Sequence, residues 1–194
     1  MAMAPSRAAP QKVLLDACVL YPTVMREVLL GCAAAGLYTP LWSARIFEEW
    51  ARAAARLGPL DEALARGEIA VLSAAFPQAL VAPQPGLEAR LHLPDENDIH
   101  VLAAAIAGSA DAIVTQNRAD FPRATLAAEG LLRFDADGFL WALWSDAPAA
   151  VAAVAEAVRA RAEALSNQPQ SLRGLLKRAK LPRLAKALEG ALEG

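Results

Sequence analysis

The chain has 194 residues, 56% of them hydrophobic in a count that includes alanine, with a formal net charge of −2. That length supports one main core with a short appendage. No stretch of about eighteen apolar residues runs free of charge, so a membrane-spanning helix is not expected. The opening MAMAPSRAAPQ lacks an apolar centre between a basic start and a cleavage site, and residues 1–11 read as a disordered leader in place of an export signal. Cys18 and Cys32 sit in apolar surroundings at a spacing that matches no zinc or redox signature, which leaves them as buried free thiols. A reduced, cytoplasmic setting is the expectation.

Charge is unevenly placed. Residues 1–170 hold 13 Lys and Arg against 19 Asp and Glu, whereas residues 171–194 hold 6 against 2. The basic excess, Arg173, Lys177, Arg178, Lys180, Arg183 and Lys186, is confined to the tail. Its plain reading is a solvated helix face. Its functional reading is attraction for RNA phosphate, or a docking surface for an acidic partner segment.

In chain order, KVLLD (Lys12 to Asp16) predicts a strand, and Pro22 to Ala35 a helix that Gly36 closes. LYTPLW (Leu37 to Trp42) predicts a second strand, and Ser43 caps a helix through about Leu57. Leu60 to Phe76 follows as a helix with a candidate break at Gly67, and VAPQPG reads as a connection. A helix opens at Pro94-Asp95, runs to Ala107 and ends at Gly108; Ala112 to Thr115 is then a buried strand. Leu131 to Phe134 is a last strand, with Asp135 or Asp137 capping the helix that holds FLWALW. Pro148 to Leu165 is helical, SNQPQ is a linker, and Leu172 to Leu192 supplies short helices split near Pro182. This alternation predicts an α/β fold, a central parallel sheet flanked by helices, with ligands bound beyond the carboxyl ends of the strands. The expected organisation is a core domain over 12–146 and a C-terminal helical extension over 147–194.

Asp16 closes the first strand, where a carboxylate serves as often as a cap for the next helix as for chemistry. Glu48 and Glu49 have the bland reading of a solvated helix face. Asp95, Glu96 and Asp98 precede an apolar helix, where helix-start acids suit the dipole. Capping does not explain why LLD, FEEW, NDIHVLAAA and VTQNRADF occur together in one order. His100 reads as a packing or surface residue, Cys18 as an inert thiol, and Trp42, Trp50, Trp141 and Trp144 as core residues ahead of base-stacking platforms. Asp111 marks a strand entry.

On these motifs the sequence resembles the PIN-domain family, in particular bacterial toxin ribonucleases of the VapC kind, over about Val13 to Leu143. Asp16 in LLDACVL matches the first family element, Glu49 in SARIFEEW the second, Asp98 in DENDIHVLAAAIA the third, and Asn117 with Asp120 in VTQNRADFP the fourth. Glu48 competes with Glu49, and Asp95 with Asp98. The resemblance implies a PIN-like fold and a metal-dependent endoribonuclease, with Asp16 and Asp98 as core ligands of Mg2+ or Mn2+. It implies Glu49 and Asp120 as outer or second-metal ligands, and Thr115 and Asn117 as hydrogen-bonding supports. An RNA substrate, a separate antitoxin chain and a homodimer are the partners it implies. Hard divalent ions suit such a set, because they prefer carboxylate and water oxygens and magnesium needs few direct protein ligands.

Two other functions compete. A phosphatase with Asp16 as covalent acceptor is opposed by Cys18, which removes the Asp-x-Asp pattern, and by the lack of lysine between Lys12 and Lys177. A non-catalytic RNA- or protein-binding module with the same fold is the other.

Overall fold

A computed structural model describes residues 9–190. Val13, Leu14 and Leu15 are completely buried, as a strand covered on both faces requires, and form β1 (Lys12–Leu15). The chain then turns through a short α1 (Ala17–Leu20) into α2 (Thr23–Ala34). Gly36 ends α2 at φ +77°, a left-handed position that lets the Leu37 N–H reach back to the Cys32 carbonyl at 3.1 Å. Next come β2 (Thr39–Ser43) and α3 (Ala44–Ala55), whose start is capped by Ser43 Oγ accepting from the Ile46 N–H at 3.3 Å. Ile46, Phe47, Trp50, Ala51 and Ala54 are buried, a helical spacing that turns Arg45 and Arg52 outward.

Helix α4 (Pro59–Ala75) runs through Gly67 without a break. A glycine in a helix interior costs about 1 kcal/mol relative to alanine, too little to interrupt seventeen residues. The VAPQPG connection contains more structure than its turn residues suggest: β3 (Leu80–Val81) pairs with Trp42 and Ser43, and α5 (Pro85–Glu88) follows. A single 3-10 turn, Glu96–Asp98, leads into α6 (Ile99–Ala107). α6 ends at Gly108, whose φ is an ordinary −77°, and the position is a glycine for lack of room. A Cβ there would lie 2.7 Å from Leu41 Cδ1 and 3.1 Å from Val81 Cγ2, and the left-handed residue is Ser109 at φ +54°.

The remaining elements are β4 (Ala112–Val114), α7 (Arg123–Ala128), β5 (Leu132–Phe134), α8 (Ala136–Asp146), α9 (Pro148–Ser166), α10 (Leu172–Arg178) and α11 (Pro182–Gly190). The five strands form one parallel sheet in the order β3-β2-β1-β4-β5, with Leu14 between Leu41 and Ile113. Helices surround it: α6 packs across β2, β1 and β4, α2 against β2, and α8 against β5. Outside these, α9 lies on α2 and α8, and α11 on α8. The central position of β1 and its neighbour β4 puts the residues that follow them side by side at one end of the sheet. No helix among the described residues is long and apolar enough to cross a membrane.

The acids before and within α8 divide the capping. Asp135 Oδ1 accepts from the Gly138 N–H at 2.7 Å and caps α8, while buried Asp137 accepts from the N–H groups of Arg183 and Leu184 at 2.9 and 3.0 Å and so holds the start of α11. Leu175, Leu176, Leu181, Leu184 and Leu188 are buried in the same core as the sheet. The expected leader falls largely on residues 1–8, outside the described residues; Ala9 is buried, with its N–H donating to Asp146 Oδ2 at 2.8 Å.

Candidate metal centre

Asp16 takes the extended backbone of an N-cap residue, and its carbonyl accepts from Val19 and Leu20, but its side chain makes no capping bond to α1. The carboxylate is buried instead among other groups. Its Oδ2 accepts from Thr115 Oγ1 at 2.7 Å and from Cys18 Sγ at 3.0 Å. Thr115 Oγ1 in turn accepts from the Asn117 N–H at 3.0 Å, and Cys18 Sγ from the Gln116 N–H at 3.2 Å. The end of β4 is thereby fastened to the end of β1. Cys18 is a half-buried thiol beside Asp16, and burial, followed by the Asp16 charge, pushes it up to about 12. Its proximity to the carboxylate follows from the tight turn into α1, too short to announce itself by periodicity.

Asp98 begins α6 and makes no side-chain cap bond there, whereas Asp95 does cap, accepting from the Asn97 N–H at 2.9 Å. Asn117 Nδ2 donates to Asp98 Oδ2 at 3.0 Å, and Asn117 Oδ1 accepts from the Asp120 N–H at 3.4 Å. Asn117 therefore joins the loop after β4 to the start of α6. One carboxylate oxygen from each of Asp95, Asp98 and Asp120 lies within 4.8 Å of the others. The sequence set Asp95 against Asp98 as alternatives; the 3-10 turn between them brings both to one place. Burial first, then the charges of Asp16, Asp95, Asp120 and Glu49, raise Asp98 from 3.8 to about 6. Five carboxylates thus share one electrostatic neighbourhood.

The two glutamates of α3 have different surroundings. Glu48 pairs with Arg52 and Arg66 at 3.3 and 3.0 Å on the outside, and those guanidinium groups hold its carboxyl below the usual range. Glu49 lies 3.6 Å from Arg45, and its Oε1 is 2.8 Å from His100 Nε2. That approach lacks hydrogen-bond geometry, so both nitrogens of buried His100 are without a hydrogen-bond partner. A position two residues after Asp98 points inward toward α3, which makes His100 an interior residue and not a surface one.

The donor set suits a hard divalent cation: oxygen ligands, uncompensated negative charge, and an asparagine that orients one carboxylate. The family model described as a PIN domain matches residues 12–119. The chain belongs to the PIN domain family. Members of this family are generally metal-dependent nucleases that bind RNA, and the group Asp95, Asp98 and Asp120 could hold a metal ion. The matched span contains Asp16, Glu49, Asp95, Asp98, Thr115 and Asn117 and stops one residue short of Asp120, which the geometry adds. No curated protein matches, and no solved structure does.

The basic tail is partly committed to its own packing. Arg173 pairs with Glu189 at 2.5 Å across α10 and α11, and Arg178 donates to Gln170 Oε1 at 2.6 Å. Lys177, Lys180 and Lys186 are exposed. Arg183 reaches back to the core, its guanidinium 4.8 Å from the Trp141 ring centroid. Trp42 and Trp50 are buried as expected, but Trp141 is 40% exposed, because α8 presents it on the side opposite Phe139, Leu140 and Leu143.

Proposed function

We propose that this PIN-domain protein is an Mg2+- or Mn2+-dependent endoribonuclease and the toxin of a toxin–antitoxin pair. The observation that carries the reading is the convergence of Asp95, Asp98 and Asp120 within 4.8 Å, around a residue that does not cap its helix and whose carboxyl is raised by burial and then by its acidic neighbours. Such crowding of like charges is unfavourable in the free chain and is relieved by a cation. Asp98, Asp120 and Asp95 would hold the ion, with Asp16 and Glu49 completing the site. When bound, a divalent ion activates a water and stabilises charge on the phosphodiester oxygens.

The protein's own groups perform the rest. Thr115 and Cys18 fix the rotamer of Asp16 by donating to the same oxygen, and Asn117 orients Asp98. Asp16 is 6% exposed with Oδ2 already engaged by two donors, an arrangement that disfavours use as a covalent phosphate acceptor. Residues 12–146 act as the nuclease domain and 147–194 as a helical extension packed upon it, in a cytoplasmic protein with two free cysteines. The antitoxin is a separate chain, and a homodimer is the proposed assembly.

The test is cleavage of end-labelled single-stranded RNA by the purified chain. Scission that requires Mg2+ or Mn2+ and stops in excess chelator supports the reading. Equal cleavage in chelator rejects it, and RNA binding without cleavage under any metal favours a non-catalytic binding module.

A further inference from the structure

Along the open edge of β5 runs a groove of about 700 Å3 whose walls carry Arg118, Arg123, Arg133 and Arg183, with Trp141 and Asp135 between them. Asp135 is the one carboxylate in this lining, and it pairs with Arg118. Among the described residues no carboxylate pairs with Arg123, Arg133 or Arg183. Arg133 is held in place by two carbonyls, its Nη1 donating to Arg118 O at 2.8 Å and Phe121 O at 2.7 Å. Burial and the charges of Arg123 and Arg118 hold this guanidinium below the usual arginine range. Positive charge is thus concentrated on a protein of net charge −2.

Three features give the groove a direction and a chemistry. Arg118 belongs to the loop that also bears Asn117 and Asp120, so the groove's lining begins one residue from Asn117, whose side chain binds Asp98. At the other wall, α11 sends Arg183 across to stack on half-exposed Trp141. Gly138 lies beneath that crossing, where a Cβ would stand in ordinary contact with Arg183 Nη1 at 3.4 Å and closer, at 3.0 Å, to Asp135 Oδ1. Fixed guanidinium groups suit phosphate oxygens, and a planar tryptophan–arginine pair suits a nucleobase.

We propose that this groove is a subsite for the single strand of RNA flanking the cleaved bond, with Arg123, Arg133 and Arg183 meeting successive phosphates and the Trp141–Arg183 pair receiving a base. The choice of RNA as the polyanion rests on the ribonuclease reading. An acidic peptide would satisfy the arginines but would leave the aromatic platform without a role, and for that reason the nucleic acid is preferred. The position also explains why one arginine of the basic tail is turned back onto the domain.

The experiment is equilibrium binding of a fluorescein-labelled single-stranded oligoribonucleotide in excess chelator, where cleavage cannot interfere, repeated over a salt series. Trp141→Ala should weaken binding about 5- to 100-fold, and Trp141→Phe should restore most of it. Arg123→Ala and Arg183→Ala should each lower affinity and reduce the slope of log K against log salt by about 0.7. Thermal melts with and without Mn2+ serve as the control for folding and for the metal centre, and all four variants should match the unsubstituted protein in them. Variants that bind RNA with unchanged affinity and salt slope overturn the proposal. So does an oligoglutamate peptide whose binding is lost in these variants while that of RNA persists, which would make the groove a peptide site. Groove-dependent RNA binding by a chain that cleaves nothing with any metal would keep the subsite and defeat the ribonuclease reading, so the two failures are distinct.

Discussion

Replacing Asp98 by asparagine keeps the shape of the side chain and removes one negative charge from the cluster. Because the Asp98 carboxyl is raised from 3.8 to about 6, its protonated form is favoured by folding. That contribution is fully present below pH 3.8 and is lost as pH rises through about 6. Metal-free protein should therefore lose stability across this interval, Asp98→Asn should not show that loss, and melts against pH will compare them. Added Mn2+ competes with the same proton, so its stabilisation should grow as pH passes 6 and reach about 2.7 kcal/mol at a hundredfold excess over Kd, with much less in the variant. RNA cleavage should collapse in the same variant. An asparagine that leaves both metal response and cleavage unchanged would remove Asp98 from the centre. The thiols give a separate check: with Cys18 and Cys32 both pushed up to about 12, chiefly by burial, neither should be alkylated at neutral pH until the chain unfolds.

At the level of elements, Gly108 is the joint where α6 passes β2 and β3. Gly108→Ala should cost about 1–3 kcal/mol, measured by denaturant unfolding, because the added methyl meets Leu41, Val81 and the Ala104 carbonyl at 2.7 to 3.2 Å. A cost near zero would show that these neighbours move aside freely. The sequence made that end of α6 visible through its glycine, though the left-handed turn falls one residue later, at Ser109, and the glycine answers close packing. Long periodic segments such as α3 and α9, and the buried runs of β1 and β4, were legible because apolar spacing and punctuation agree over many residues. Elements such as α1, α5, α7 and β3 span two to six residues and hold no full period, so they emerge only from tertiary pairing. At the site, the order of the motifs pointed to Asp16, Glu49, Asp98, Asn117 and Asp120. It could not place Asp95 beside Asp98, or Cys18 against Asp16, because both depend on how tightly a turn closes. Trp141 was misplaced in the core because hydrophobicity in a helix does not say which face the neighbours cover.

For the whole molecule, the tail and the domain are mechanically joined. Asp137 accepts two N–H groups from the start of α11, and five tail leucines lie in the common core. Asp137→Ala leaves those buried donors without a partner and should lower stability by about 1–3 kcal/mol in denaturant unfolding. Removing residues 171–194 should reduce the melting temperature as well as any RNA affinity, and a truncation as stable as the full chain would show the extension to be dispensable for the core. The sheet order has a further consequence, one of timing. Asp16 is secured by Thr115, 99 residues later in the chain, and β1 lacks one of its two neighbouring strands until β4 has been made. At ribosomal speeds that interval lasts about 5–20 s. For those seconds the first acid has no partner strand on that side to fasten it, so a centre built on Asp16 can be assembled only after β4 has been made.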